Sequence, residues 1–165
     1  MMQALEAGGL PVYFSRSRNA VNEFHTDSTK RPNPKGLYEP SQKDMADTCF
    51  PKQHDGKAVK ILVPWMSALA VHDYRVVIMR RNPEAIMDSY ERVFKDYWDT
   101  ASRKMWIESY PEKMVEALRQ FKNRKDVASV NVVDMEDLLA TPLIVFNSLG
   151  WPVSPVKAAS VICAR

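Results

Sequence analysis

The chain is poor in the residues that build metal centres, disulfide frameworks and membrane spans. It has two cysteines and three histidines in 165 residues, and Cys49 and Cys163 lie far apart with no CxxC spacing. We therefore expect no metal site, and we expect both cysteines to be reduced thiols at small apolar positions. The longest apolar stretch, residues 58–71, is interrupted by a lysine, a proline and a serine. It is shorter than the ~20 residues of a membrane-spanning helix, so no membrane partner is predicted.

Strong charge of either sign is also lacking. The net charge is +3, and basic residues alternate with acidic ones along nearly every segment. This dispersed charge does not predict a nucleic-acid partner, although a local cationic pocket for a small anion is compatible with it. The first residues have no basic segment typical of a secretory signal, so we expect a cytoplasmic protein. With 45% apolar and 26% charged residues, the chain is predicted to fold as one domain over residues 1–165.

The hydrophobic pattern predicts strands that alternate with helices. Short apolar runs without alternation indicate strands buried on both faces, and apolar residues at three- and four-residue steps indicate helices. Such an order favours an α/β class, as a three-layer α/β/α domain with a central, mostly parallel sheet. The predicted strands are 11–14, 58–63, 74–79 and 127–133, and the predicted helices are 1–7, one from Pro83, one through Trp106 and Phe121, 135–140, one from Pro142 and one from Pro155.

One segment has the features of an anion site. The predicted strand 74–79 is followed by Arg80, Arg81, Asn82 and Pro83, so arginine is delivered to the strand's carboxyl end just before a helix. Asn82 can cap that helix, and the amides of its N-terminus together with the Arg81 guanidinium favour phosphate. The alternative is that Arg80 and Arg81 pair with nearby surface carboxylates such as Glu84 or Asp88.

The arginine-asparagine-proline sequence at the strand end, with Ser89 eight residues after Arg81, resembles the motif that binds the 3′-phosphate of PAPS in sulfotransferases. Other segments resemble parts of that family, in its bacterial form, in the same order along the chain. They are residues 1–12, the NPKGLYE sequence at 33–39, the lysine-bearing strand at 56–64, residues 132–142 and the LGWP sequence at 149–152.

The resemblance implies a P-loop-like fold and PAPS, or its product 3′-phosphoadenosine 5′-phosphate, as co-substrate, without a metal. It implies transfer of a sulfuryl group to a hydroxyl or amine on a small-molecule or carbohydrate acceptor. Arg81, Ser89 and Asn82 would bind the nucleotide, and Lys60 would contact the phosphosulfate. Leu62 stands where cytosolic members have a histidine base, so Glu39, His25 and His54 become the candidates for a base.

The family's first strand and PRSGT-like phosphate loop are expected before residue 1, so the domain is predicted to be truncated at its N-terminus. A missing strand would leave edges and apolar faces uncovered, which favours self-association. One alternative is a non-catalytic relative that binds a 3′-phosphonucleotide or serves as a scaffold. A nucleotide kinase or NTPase is a third reading, but the chain has no GxxxxGK[ST] loop and only Asp134 as a magnesium candidate.

Overall fold

The computed structural model describes residues 1–14, 40–62, 68–93 and 98–163. Within these ranges it is a mixed structure of helices and a small parallel sheet. The strands are β1 (Tyr74–Arg80) and β2 (Val127–Asp134). The helices are α1 (Met2–Ala7), α2 (Gln42–Ala46), α3 (Phe50–Gln53), α4 (Pro83–Val93), α5 (Thr100–Lys122), α6 (Met135–Ala140), α7 (Pro142–Ser148) and α8 (Pro155–Cys163).

The sheet is formed by β1 and β2, which pair in parallel. Beyond a register irregularity at Tyr74, the pairing runs from Arg75 with Ser129 to Arg80 with Asp134. The carboxyl ends of both strands therefore meet at one edge, where ligands commonly bind in parallel sheets. A separate parallel bridge joins Val12 to Ala58.

The predicted elements from residue 74 onward are confirmed, and the earlier ones only in part. The strands predicted at 11–14 and 58–63 are each reduced to one bridged residue in the described part of the chain. Helices α2 and α3 were not predicted. The strands are also less buried than expected, since Ile78 and Val133 are their only buried members.

Two apolar clusters cover the opposite faces of the sheet. Val77 and Met79 of β1 pack against a cluster from α1, α6, α7 and α8, whereas Val76 and Ile78 belong with Met114, Ala117 and Phe121 of α5. Alternate residues of a strand point to opposite faces, so β1 contributes to both clusters. Helical side chains therefore pack on both sides of this small sheet.

Gly8 allows close packing between α1 and the start of α8. Of the two glycines that follow α1, only Gly9 has a positive φ, 98°. Gly8 has φ −71°, but a Cβ there would lie 3.2 Å from the Cβ atoms of Ala158 and Val153 and from the Ser154 carbonyl oxygen. These atoms belong to backbone or lie next to it, so they have little freedom to move away.

Replacing Gly8 with valine is expected to destabilise the protein by about 2 kcal/mol, the scale of overpacking in a filled core. The matched control is Ala7→Val, which adds a β-branched side chain at the adjacent, exposed position of α1. That change should cost only about 0.5 kcal/mol of helix propensity. Thermal unfolding followed by circular dichroism measures both, and equal losses would contradict the close-packing role of Gly8.

A partly buried ion pair fixes the chain entering β1 to the turn before β2. The Arg124 guanidinium donates to the Asp126 carboxylate from Nε at 2.9 Å and from Nη2 at 2.5 Å. It also donates to the carbonyl oxygens of Leu69 and Ala70, at 3.1 and 3.0 Å, and Asp126 accepts from the His72 amide at 3.1 Å. The two side chains are only 22% and 14% exposed.

Both cysteines, Cys49 and Cys163, are free thiols, but they are exposed. The expectation that they fill small apolar positions is therefore wrong, because Cys49 precedes the short helix α3 and Cys163 ends α8 on its outer face. Of the helices in the described ranges, none combines the length and apolar character needed to cross a membrane.

Candidate functional site

The candidate site lies where β1 ends and α4 begins. β1 ends at Arg80, α4 begins at Pro83, and Arg81 and Asn82 form the connection. This is the geometry that the sequence predicted, since buried Ile78 anchors the strand and the asparagine-proline pair starts the helix. The polar groups of this connection therefore stand at the carboxyl edge of the sheet.

Asn82 caps α4 and uses the amides of its first turn. Its side-chain oxygen accepts from the Glu84 amide at 2.8 Å and from the Ala85 amide at 3.4 Å, and its carbonyl oxygen accepts from the Ile86 amide at 3.1 Å. Pro83 has no N–H to offer. An anion at this edge would consequently be held by side chains, with the helix amides contributing through their dipole.

Arg80 is paired across the sheet with Asp134, its register partner. Its Nε and Nη2 lie 2.5 and 2.6 Å from the two carboxylate oxygens, a two-pronged contact. These hydrogen bonds hold the pKa of Asp134 below its ordinary value. The alternative reading, that Arg80 pairs with a carboxylate, is therefore confirmed, although the partner is Asp134 and not Glu84 or Asp88. Asp134, the magnesium candidate of the NTPase reading, already has a cationic partner.

Arg103 of α5 engages the acidic side chains of α4. Its guanidinium lies 2.8 Å from Glu84, 2.8 Å from Asp88 and 3.2 Å from Glu91. These three residues follow one another at four- and three-residue steps, so they form one stripe along the helix. Both carboxylates that the sequence offered to Arg80 and Arg81 are thus directed toward α5 instead.

Arg81 is left with its guanidinium uncommitted. Among the described residues no carboxylate or hydrogen-bond acceptor pairs with it, and its side chain is partly exposed. Its backbone amide donates to the hydroxyl of Tyr110 on α5 at 3.3 Å, which ties this connection to the helix behind it. The structure thus presents a fixed backbone with an available arginine at the sheet edge.

Ser89 lies two turns into α4 and is half-buried. Its hydroxyl makes no hydrogen bond within the described ranges, whereas Ser109, Ser148 and Ser160 each donate to a carbonyl of their own helix. Ser89 lies one turn beyond Ala85, roughly 10 Å along the helix axis from Asn82 at 1.5 Å per residue. An extended arginine and a phosphate can span that distance together.

The predicted catalytic residues are less well placed by the structure. Lys60 is partly buried and follows Ala58, the residue bridged to Val12. Glu39 and His25 lie outside the described residues. Lys60 therefore lies two residues beyond the Ala58 bridge, and the roles of Glu39 and His25 stay predictions.

His54 lies in an aromatic cluster with Tyr13 and Phe50, with ring centroids 4.9 and 4.5 Å away. Partial burial, with the Lys57 ammonium nearby, lowers the pKa of His54 and so favours the neutral ring. Its Nδ1 lies 3.4 Å from the Lys57 Nζ. A neutral imidazole has the protonation state that a base needs.

The sequence did not assign three of the residues around this site to it. They are Tyr110, Arg103 and Asp134, of which Asp134 was considered only as a magnesium candidate. Aligning the ends of strands 74–80 and 127–134 could have paired Arg80 with Asp134, since the first strand ends on a positive charge and the second on a negative one. No local signal pointed to Arg103, because its role depends on how α4 and α5 pack.

Comparison with protein-family models, with curated proteins and with solved structures finds no significant match to this chain. Within the described ranges, no three side chains of His, Cys, Asp or Glu are grouped so as to hold a metal ion.

Proposed function

We propose that the protein binds a 3′-phosphonucleotide at the end of β1 and acts as a PAPS-dependent sulfotransferase. The observation that carries this proposal is the position of Arg81 and the lack of an acidic partner for its guanidinium among the described residues. Arg81 lies at the carboxyl end of a parallel strand and at the start of a helix, and the acidic side chains that could neutralise it pair with Arg103 and Arg80 instead. Two-pronged arginine contacts suit phosphate oxygens, and Ser89 adds a hydroxyl donor.

The fold gives further support to this assignment. Apolar clusters on both faces of a parallel sheet, with the site at its carboxyl edge, favour the three-layer arrangement of P-loop-like domains. In such a domain, we propose that Lys60 contacts the phosphosulfate. The reaction would break the bond between sulfur and the bridging phosphate oxygen, release 3′-phosphoadenosine 5′-phosphate, and join sulfur to the acceptor's oxygen or nitrogen as a base takes its proton.

Nucleotide binding without transfer is the second candidate. Leu62 favours it, because an apolar, exposed side chain stands where the resemblance leads one to expect the histidine base. Leucine cannot accept a proton. An assay of sulfuryl transfer from labelled PAPS to hydroxyl and amine acceptors separates the two functions, since only the enzyme transfers label.

The first test of the proposal compares two nucleotides that differ in one phosphate. Calorimetry should show that 3′-phosphoadenosine 5′-phosphate binds at least about tenfold more tightly than adenosine 5′-phosphate, because hydrogen bonds to a charged group contribute about 1.5–3 kcal/mol. Equal affinities for both nucleotides, or no binding by a folded chain, would overturn the 3′-phosphate site.

A further inference from the structure

The acidic stripe of α4 lies beside the proposed phosphate site. Glu84 is three residues beyond Arg81, and Asp88 precedes Ser89. Carboxylates in these positions would repel a phosphate, and Glu84 would also compete with it for the Arg81 guanidinium. A site that binds an anion here therefore requires these carboxylates to be held elsewhere.

Arg103 meets that requirement from the neighbouring helix. It is the common partner of Glu84, Asp88 and Glu91 at 2.8 to 3.2 Å, and its own side chain is 28% exposed. Asp99 fixes the start of α5 four residues earlier, accepting from the Ser102 amide at 2.8 Å. The guanidinium is thus anchored on a capped helix and directed at the stripe.

We propose that Arg103 is a positioning residue for the phosphate site: it holds the α4 carboxylates against α5 and so keeps Arg81 available to the ligand. This role rests on the proposed function, because it concerns the affinity of that same site. Arg103 need not touch the nucleotide. Its effect is transmitted through Glu84 and Asp88. Removing these two carboxylates should therefore reverse the effect of losing Arg103, which would not happen if Arg103 contacted the nucleotide directly.

The test uses calorimetry with 3′-phosphoadenosine 5′-phosphate on the wild-type chain, on Arg103→Gln, and on Arg103→Gln combined with Glu84→Gln and Asp88→Asn. Arg103→Gln should weaken binding about fivefold, the scale of an exposed charge interaction. The triple variant should recover wild-type affinity because the released carboxylates are gone. The loss in Arg103→Gln should also shrink as salt is raised, since it is electrostatic.

Wild-type affinity in Arg103→Gln, or a loss that the triple variant does not recover, would overturn the positioning role while leaving the phosphate site intact. Failure of the wild-type chain to bind would overturn the proposed function and this role with it. If Arg103→Gln does not fold, Arg103→Lys replaces it, because lysine keeps the charge but lacks the fork that engages several carboxylates. It should show a smaller loss with the same recovery.

Discussion

Replacing Arg81 with alanine is expected to weaken binding of 3′-phosphoadenosine 5′-phosphate by roughly 10- to 100-fold, which corresponds to about 1.5–3 kcal/mol. In the described part of the chain the Arg81 guanidinium has no acidic partner, and its removal eliminates the charge and up to two hydrogen bonds to phosphate. Folding should be little affected, because the backbone amide that contacts Tyr110 remains. Calorimetry gives the affinity, and circular dichroism confirms the fold.

The matched control is Arg75→Ala. Arg75 is an exposed arginine near the start of the same strand, roughly 20 Å from Arg81 at 3.3 Å per residue. Both variants lose one positive charge, so a general electrostatic attraction would weaken binding similarly in each. A large loss confined to Arg81→Ala supports the site, whereas equal losses would show that the nucleotide senses only the overall charge. Ser89→Ala should give a smaller loss, of about 1 kcal/mol.

Replacing Asp126 with asparagine should lower the free energy of unfolding by about 2–3 kcal/mol and the melting temperature by roughly 5–10 °C. The substitution removes the negative charge that pairs with Arg124. The Arg124 guanidinium, which is largely buried, is then left without a charged partner. The connection through Leu69 and Ala70 into β1 loses its anchor as well. The control is Asp73→Asn, an exposed position with the same chemical change, which should alter stability by less than about 0.5 kcal/mol.

The pair of Arg124 and Asp126 also makes the free energy of unfolding depend on pH in the acid range. Hydrogen bonds from Arg124 hold the pKa of Asp126 well below its usual range, so the unfolded chain binds a proton more readily than the folded one. The contribution of Asp126 is therefore complete above about pH 4, the unfolded value, and declines as the pH falls below it. Urea unfolding between about pH 2 and pH 5 should show a shallower loss in Asp126→Asn than in the wild type. Parallel curves would contradict the assignment.

The parts of the fold that the sequence predicted are those set by local pattern. The apolar run at 74–79 followed by asparagine and proline defines β1 and α4 without reference to the rest of the chain. The helix Gln42–Ala46 was missed although Ser41 and Asp44 form a capping box, since five residues are too few to show a period. The runs at 11–14 and 58–63 have strand composition, but pairing is a tertiary property, and in the ranges that the structure describes they share one bridge.

The candidate site also contains residues that a local pattern predicts and residues whose role depends on tertiary packing. The sequence proposed Arg81, Asn82 and Ser89 as site residues because their spacing is local. The partner of Arg80 depends on the register between strands more than fifty residues apart, and the role of Arg103 depends on helix packing. Sequence reasoning proposed surface carboxylates on α4 for Arg80 and Arg81, because neighbours in sequence are the only partners that a sequence displays.

The contact between Arg80 and Asp134 also bears on how the two strands find their alignment. A slip of one residue would turn every apolar side chain of a strand to the wrong face, so the two clusters forbid it. A slip of two residues keeps each side chain on its own face, and the apolar pattern alone discriminates weakly against it. It would, however, place Arg80 opposite Val132 and leave Asp134 without its partner. The charge pair at the strand ends therefore selects one strand register among those that the apolar core tolerates.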